Sequence, residues 1–198
     1  MSVARETFDT HCMLQPSPIK TKILIIGPLK CGKTTISNYL ADSNDTNAHE
    51  YRPTRGVRIV EFESNELELS GERVDAEIEL WDCSGDRHYE KCWPAIRRDT
   101  HGVILVCRPD KDDAQSLLLW YTEFVERAGM NPAHVLILLH HTSEMTNDGP
   151  IADFRLPPAM CGLPMVPSNI DQDGENLRLE FNSFLCKVIA DAKFRHTS

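Results

Sequence analysis

Residues 27 to 34 read Gly27-Pro28-Leu29-Lys30-Cys31-Gly32-Lys33-Thr34, a complete G-x-x-x-x-G-K-[ST] phosphate loop. An apolar run, Ile23-Leu24-Ile25-Ile26, precedes it, and a helical pattern follows over residues 33 to about 40. That placement constrains the fold more than the motif does. A strand must end, the chain must turn sharply, and a helix must begin, because the phosphates are held by N–H groups of the turn and by the helix's positive end. In such a loop Leu29, Lys30, Cys31, Gly32, Lys33, Thr34 and Thr35 surround the phosphates. The Lys33 ammonium bridges the outer ones, and the Thr34 hydroxyl ligates Mg²⁺. The chain is expected to bind a nucleoside di- or triphosphate with Mg²⁺.

Around this loop the hydrophobic pattern alternates between strands and helices. The first strand is expected over residues 22 to 26. Residues 57 to 63 and 74 to 80 alternate apolar with charged residues, which predicts an antiparallel pair with one buried face, joined through residues 64 to 71. Residues 102 to 107 and 135 to 139 are continuous apolar runs, as in strands covered on both sides. Leu117, Tyr121, Phe124, Val125 and Ala128 recur at helical spacing, with Gly129 as the stop. Residues 142 to 164, rich in Pro and Gly, read as an irregular excursion. Residues 165 to 166 suit a short last strand, and Leu177, Phe181, Phe184, Leu185, Val188 and Ile189 an amphipathic terminal helix. The expected fold is α/β: one doubly wound, mostly parallel sheet with one antiparallel strand and helices on both faces. An N-terminal arm (residues 1–20), a nucleotide-binding domain (21–192) and a short tail (193–198) complete the organisation.

With 198 residues the chain is long enough to bury a substantial core. A net charge of −9 argues against nucleic acid as the main partner. Seven cysteines, scattered singly, suggest neither a disulfide framework nor a zinc ribbon. No apolar run is long enough to span a bilayer. Ser2 and a C-terminus without cysteine lead us to expect no lipid anchor.

Two further elements add chemistry. Trp81-Asp82-Cys83-Ser84-Gly85 ends the third strand, where Asp82 is placed to hold Mg²⁺ and the Gly85 N–H to meet a terminal phosphate. A strand ending in an ordinary turn would look the same in isolation. Thr54, within Tyr51-Arg52-Pro53-Thr54-Arg55-Gly56, lies just before the second strand.

With Thr54 in place, the order of motifs resembles the Ras-like small GTPases, most closely the Rab group, over about residues 20 to 190. The resemblance implies their six-stranded phosphate-loop fold, GTP or GDP as ligand, and Thr34, Thr54 and Asp82 as the Mg²⁺ corner. It also implies that Thr54 and Gly85 meet the terminal phosphate. Pro53-Thr54-Arg55-Gly56-Val57-Arg58-Ile59, Glu79-Leu80-Trp81-Asp82-Cys83-Ser84-Gly85-Asp86, Cys92-Trp93-Pro94-Ala95 and His140-His141 are similar to the Rab-like GTPase subunits of intraflagellar transport complex B. That likeness implies a coiled-coil heterodimer of the complex B core as partner. It also implies a location in cytoplasm, basal body and cilium or flagellum. The contact elements it suggests are residues 49 to 58 and 85 to 98. Trp93 suits either a contact surface or the core.

Three departures from an active GTPase stand out. His140-His141-Thr142-Ser143 replaces the guanine-reading Asn-Lys-x-Asp, with Glu144 one position late for its Asp. Asp86 stands where the catalytic Gln belongs, short and negative beside phosphate. Leu29 fills a position that is Gly in fast-hydrolysing relatives. All three favour holding nucleotide over cleaving it. His140 and His141 are expected beside the base, since neighbours on a strand face opposite ways and do not share a metal with Cys161. Ser168 and Asn169 correspond weakly to the family's last base motif, or to a plain turn. The rival readings are a small P-loop ATP-dependent kinase or NTPase, for which Arg97-Arg98 is the lone adjacent arginine pair, and a nucleotide-free structural pseudo-GTPase.

Overall fold

The computed structural model describes residues 18–43, 52–142 and 150–196. In chain order the main elements are β1 (Ile19–Ile26), α1 (Lys33–Leu40), β2 (Val57–Leu69), β3 (Glu72–Cys83), α2 (Trp93–Ile96) and β4 (Gly102–Cys107). Then come α3 (Ala114–Tyr121), β5 (Val135–His140), α4 (Pro150–Asp153), β6 (Met165–Ser168) and α5 (Ile170–His196). One six-stranded sheet has the order β2-β3-β1-β4-β5-β6, with only the β2–β3 pairing antiparallel.

Strand alternation divides the core. Ile23 and Ile25 of β1 face α1 and α5, joining Ile36, Leu177, Phe181 and Phe184. Leu24 and Ile26 face α2 and α3, joining Trp93, Leu117, Trp120 and Phe124. Both β4 and β5 are buried along their whole length, as an unbroken apolar run requires of a central parallel strand.

One expectation changes, and one open alternative is decided. The stretch from 64 to 71 is mostly strand: β2 continues through an irregularity between Ser64 and Leu67, and Leu67 and Leu69 keep the alternation. Ser70 and Gly71, with φ of 54° and 85°, make the tight two-residue hairpin turn. Ser64 and Asn65 look like turn residues, but cross-strand pairing outweighs their local preference. Trp93 is core, at 4% exposure, with ring centroids 5.0 Å from Trp120 and 5.4 Å from Phe124.

The ends of the domain also differ in detail. β1 begins at Ile19, inside the stretch assigned to the arm, and α5 runs past residue 192. The helical pattern near residue 120 closes in a π turn over Thr122–Glu126 before Gly129, whose φ is 60°. Six cysteines among the described residues are free, and no helix there is long and apolar enough to cross a membrane.

Candidate functional site

Parallel strands ending side by side leave a crevice beyond their C-terminal edge. A cleft of about 1070 Å³ opens there, lined by the phosphate loop, α1, the segment before β2, the turn after β4, the end of β5 and the start of α5. Its basic residues are Lys30, Lys33, Arg52, Arg55, Arg58, Arg108 and Lys111, and its one acid among the described residues is Asp171. In a chain of net charge −9 this concentration of cations marks a polyanion site.

At one end the loop is set by backbone geometry. Gly27 and Gly32 have φ of 145° and 98°, and a Cβ on Gly27 would lie 2.1 Å from the Val106 carbonyl oxygen. Lys33 is buried, and its ammonium donates to the carbonyls of Gly27 (3.0 Å) and Pro28 (2.6 Å) across the crown of the loop. Leu29, Lys30, Cys31, Gly32, Thr34 and Thr35 all line the cleft, as does Thr54. Leu29 stands 47% exposed on the crown.

Behind the loop three side chains converge. Thr34 donates to Asp82 Oδ2 at 2.7 Å and Thr54 donates to the same oxygen at 3.3 Å, while the two hydroxyl oxygens lie 3.1 Å apart. Asp82 is fully buried, and its Oδ1 has no hydrogen-bond partner. Burial pushes its carboxyl above the ordinary carboxylate range, while the Thr34 bond and the charge of Arg58 pull it back. A buried carboxylate in this state is stabilised by a cation. Oxygens neighbouring each other around octahedral Mg²⁺ lie about 2.9 Å apart, so the spacing of Thr34 and Thr54 fits that ion. The lone pairs of Asp82 Oδ1 fit a metal-bound water.

Gly85 and Asp86 lie outside the cleft's lining. Gly85 presses on the loop's back: a Cβ there would fall 2.5 Å from the Pro28 carbonyl carbon. Ser84 N–H donates to the Gly56 carbonyl at 2.8 Å, tying the segments after β3 and before β2 together. Asp86 is exposed, and its carboxylate accepts from His88 N–H at 2.9 Å to cap the following turn. It does not reach into the cleft to orient a water. Arg97 pairs with Glu123 beside α3, away from the cleft, so it offers no kinase lid.

At the other end, His140 and His141 both line the cleft but face different ways. The His140 ring lies against Gly32, where a Cβ would approach its Cδ2 to 2.2 Å. Burial, then the charge of Arg108, lowers its pKa below the ordinary histidine value, so it is neutral in the fold. His141 is buried, with Nδ1 3.4 Å from the Asn169 amide. Ser168 and Asn169 are buried and do not line the cleft. Instead, Asn169 Oδ1 accepts from the N–H groups of Asp171 (3.1 Å) and Gln172 (3.2 Å), capping α5. Arg108, Lys111, Ile170 and Asp171 complete this end and were not singled out from sequence. The usable signal was position, because each follows the C-terminal edge of a parallel strand. Residues Ser143 and Glu144 lie outside the described residues.

Comparison with known proteins decides the family. The domain family described as "Roc: Ras of Complex, Roc, domain of DAPkinase" matches residues 22–142. Intraflagellar transport protein 22 homolog of Danio rerio is 39% identical over 174 residues, covering 86% of this chain and 90% of the relative. The chain belongs to the intraflagellar transport protein 22 family. Two T. brucei crystal structures of that family share the fold. A GTP-bound IFT22/74/81 structure superposes with a TM-score of 0.70 at 29% identity, covering 89% of this chain and 98% of that one. A GDP-bound IFT22 structure gives 0.65 at 30% identity, covering 86% and 97%. The small-GTPase fold expected of this intraflagellar transport protein 22 relative is thereby established.

Proposed function

We propose that the chain binds GTP and GDP with Mg²⁺ in this cleft, and serves as a GTP-binding subunit of intraflagellar transport complex B. The observation that carries this reading is the closed corner of Thr34, Thr54 and Asp82 beneath a complete phosphate loop, beside a cleft whose charged lining is cationic except for Asp171. Bound there, Mg²⁺ would neutralise phosphate charge. Lys33, Lys30 and the N–H groups of residues 29 to 35 bind the phosphates, and Gly85 supports them from behind the loop. Thr34, Thr54 and Asp82 hold the ion.

The base lies toward His140, His141 and Asp171. Asp171 supplies the acceptor that guanine's N1–H and 2-amino groups require, taking the place of the missing Asn-Lys-x-Asp carboxylate. Asn169 and Ser168 support this end from behind, with Asn169 holding the turn that carries Asp171. With Asp86 spent on a cap and Leu29 shielding the loop, hydrolysis is slow or absent. The nucleotide-binding domain runs from β1 to α5, Ile19 to His196, slightly beyond the 21–192 expected from sequence.

The structural relative bound to IFT74/81 supports a coiled-coil heterodimer of the complex B core as partner. Cytoplasm, basal body and cilium or flagellum are the corresponding locations. The contact surface comprises the exposed parts of residues 52 to 58 and 85 to 98, without Trp93; residues 49 to 51 of the expected contact element lie outside the described residues. Mixing the purified chain, loaded with GTP or GDP, with such a heterodimer tests the assembly. A complex eluting together in size-exclusion chromatography is expected, tighter with GTP. No complex in either state rejects the subunit role.

A further inference from the structure

Arg58 is a cation built into the corner where the metal belongs. On the antiparallel ladder Arg58 of β2 stands directly opposite Asp82 of β3, so both side chains leave the same face of the sheet. Its Nε comes within 3.6 Å of Asp82 Oδ2, the oxygen that also accepts from Thr34 and Thr54. Its Nη2 donates to Asn38 Oδ1 at 2.5 Å. Asn38 lies one turn beyond Thr34 on α1, so the guanidinium spans from the metal-holding carboxylate to the helix that carries the metal-holding hydroxyl. The planar guanidinium is thus hydrogen-bonded at one end and in ion-pair contact at the other.

This placement has a consequence for the metal-free protein. Where the divalent ion alone compensates a buried carboxylate, its removal leaves an uncompensated charge, and the site pays heavily. Here part of that compensation remains. Thr54 also donates to Asp82, a bond within the chain that does not pass through the ion. We propose that Arg58 is a resident counter-charge for Asp82 that keeps Thr34, Thr54 and Asp82 assembled without Mg²⁺, making nucleotide affinity only weakly dependent on the ion. The proposal rests on the nucleotide-binding reading above and concerns one positioning residue within it.

The test measures dissociation constants of a fluorescent N-methylanthraniloyl-GDP for the full chain, in millimolar Mg²⁺ and in excess EDTA. Wild type should weaken by about tenfold or less on chelation, and Arg58→Gln by at least about tenfold more than wild type. Arg58→Lys, which keeps the charge, should recover most of the difference. Binding linkage is reciprocal, so GDP should raise Mg²⁺ affinity in Arg58→Gln by a correspondingly larger factor than in wild type.

A wild-type loss above about a hundredfold on chelation overturns the proposal without any variant. So does an equal Mg²⁺ dependence in wild type and Arg58→Gln, or a Lys variant that behaves like Gln. Absence of binding by wild type even in Mg²⁺ would overturn the site reading itself, and the proposal with it.

Discussion

The two ends of the cleft are built in different ways. At the phosphate end one contiguous loop and two side chains, Thr54 from the segment before β2 and Asp82 from β3, do the holding. Their positions are fixed by backbone shape: left-handed Gly32, and Gly27 and Gly85 against carbonyl groups that leave no room for a Cβ. The base end has no contiguous motif. Arg108 and Lys111 come from the turn after β4, His140 to Thr142 from the end of β5, and Ile170 and Asp171 from the first turn of α5. Phosphates present the same charge and geometry in every nucleotide, so a fixed backbone cradle suits them. A base presents edges that different side chains can read, so that end is free to be rebuilt. On the proposed reading the chain keeps the grip and replaces the reader.

Breaking the grip should have the largest effect. Lys33→Ala removes the ammonium poised over the crown of the loop, and nucleotide affinity should fall by about a hundredfold or more for GDP and ADP alike. Isothermal titration checks it, and a loss confined to one base would contradict the division between the ends. Asp171→Ala should act at the other end alone. GDP binding is expected to weaken by about tenfold while ADP is unaffected, because only guanine loses an acceptor for its donors. Equal weakening of both would remove Asp171 from the base end.

A change in stability sharpens the point where the ends meet. Gly32→Ala places a Cβ against the His140 ring at a φ of 98°, and so strains loop and base end together. About 2 kcal/mol of stability should be lost, seen as a melting temperature lower by about 5 °C in the nucleotide-free protein. An unchanged melting point would mean that His140 gives way freely.

The same contrast explains what could be read from the sequence. The loop, Thr54 and Asp82 sit in spaced motifs whose order is preserved, and strand alternation gave the buried faces of the central sheet directly. His140 and His141 were legible because they end an apolar strand. Arg108, Lys111 and Asp171 were not, since only the parallel topology brings the ends of β4, β5 and β6 together. Ser168 and Asn169 illustrate the converse: they correspond weakly to the family's last base motif or to a plain turn, and the Asn169 side chain is spent capping α5. Trp93 followed from aromatic packing across α2 and α3, a pairing that sequence spacing does not reveal.

The central claim is that this site holds GTP and does not cleave it at a useful rate. It is tested most directly by loading the purified chain with equal GTP and ATP in Mg²⁺, then denaturing samples over time and separating the released nucleotides. The account predicts mostly GTP, still intact after the minutes in which an activated GTPase, turning over at roughly 5–20 s⁻¹, would long have converted it. Recovery of ATP in preference, of GDP formed at activated rates, or of no nucleotide at all would contradict it.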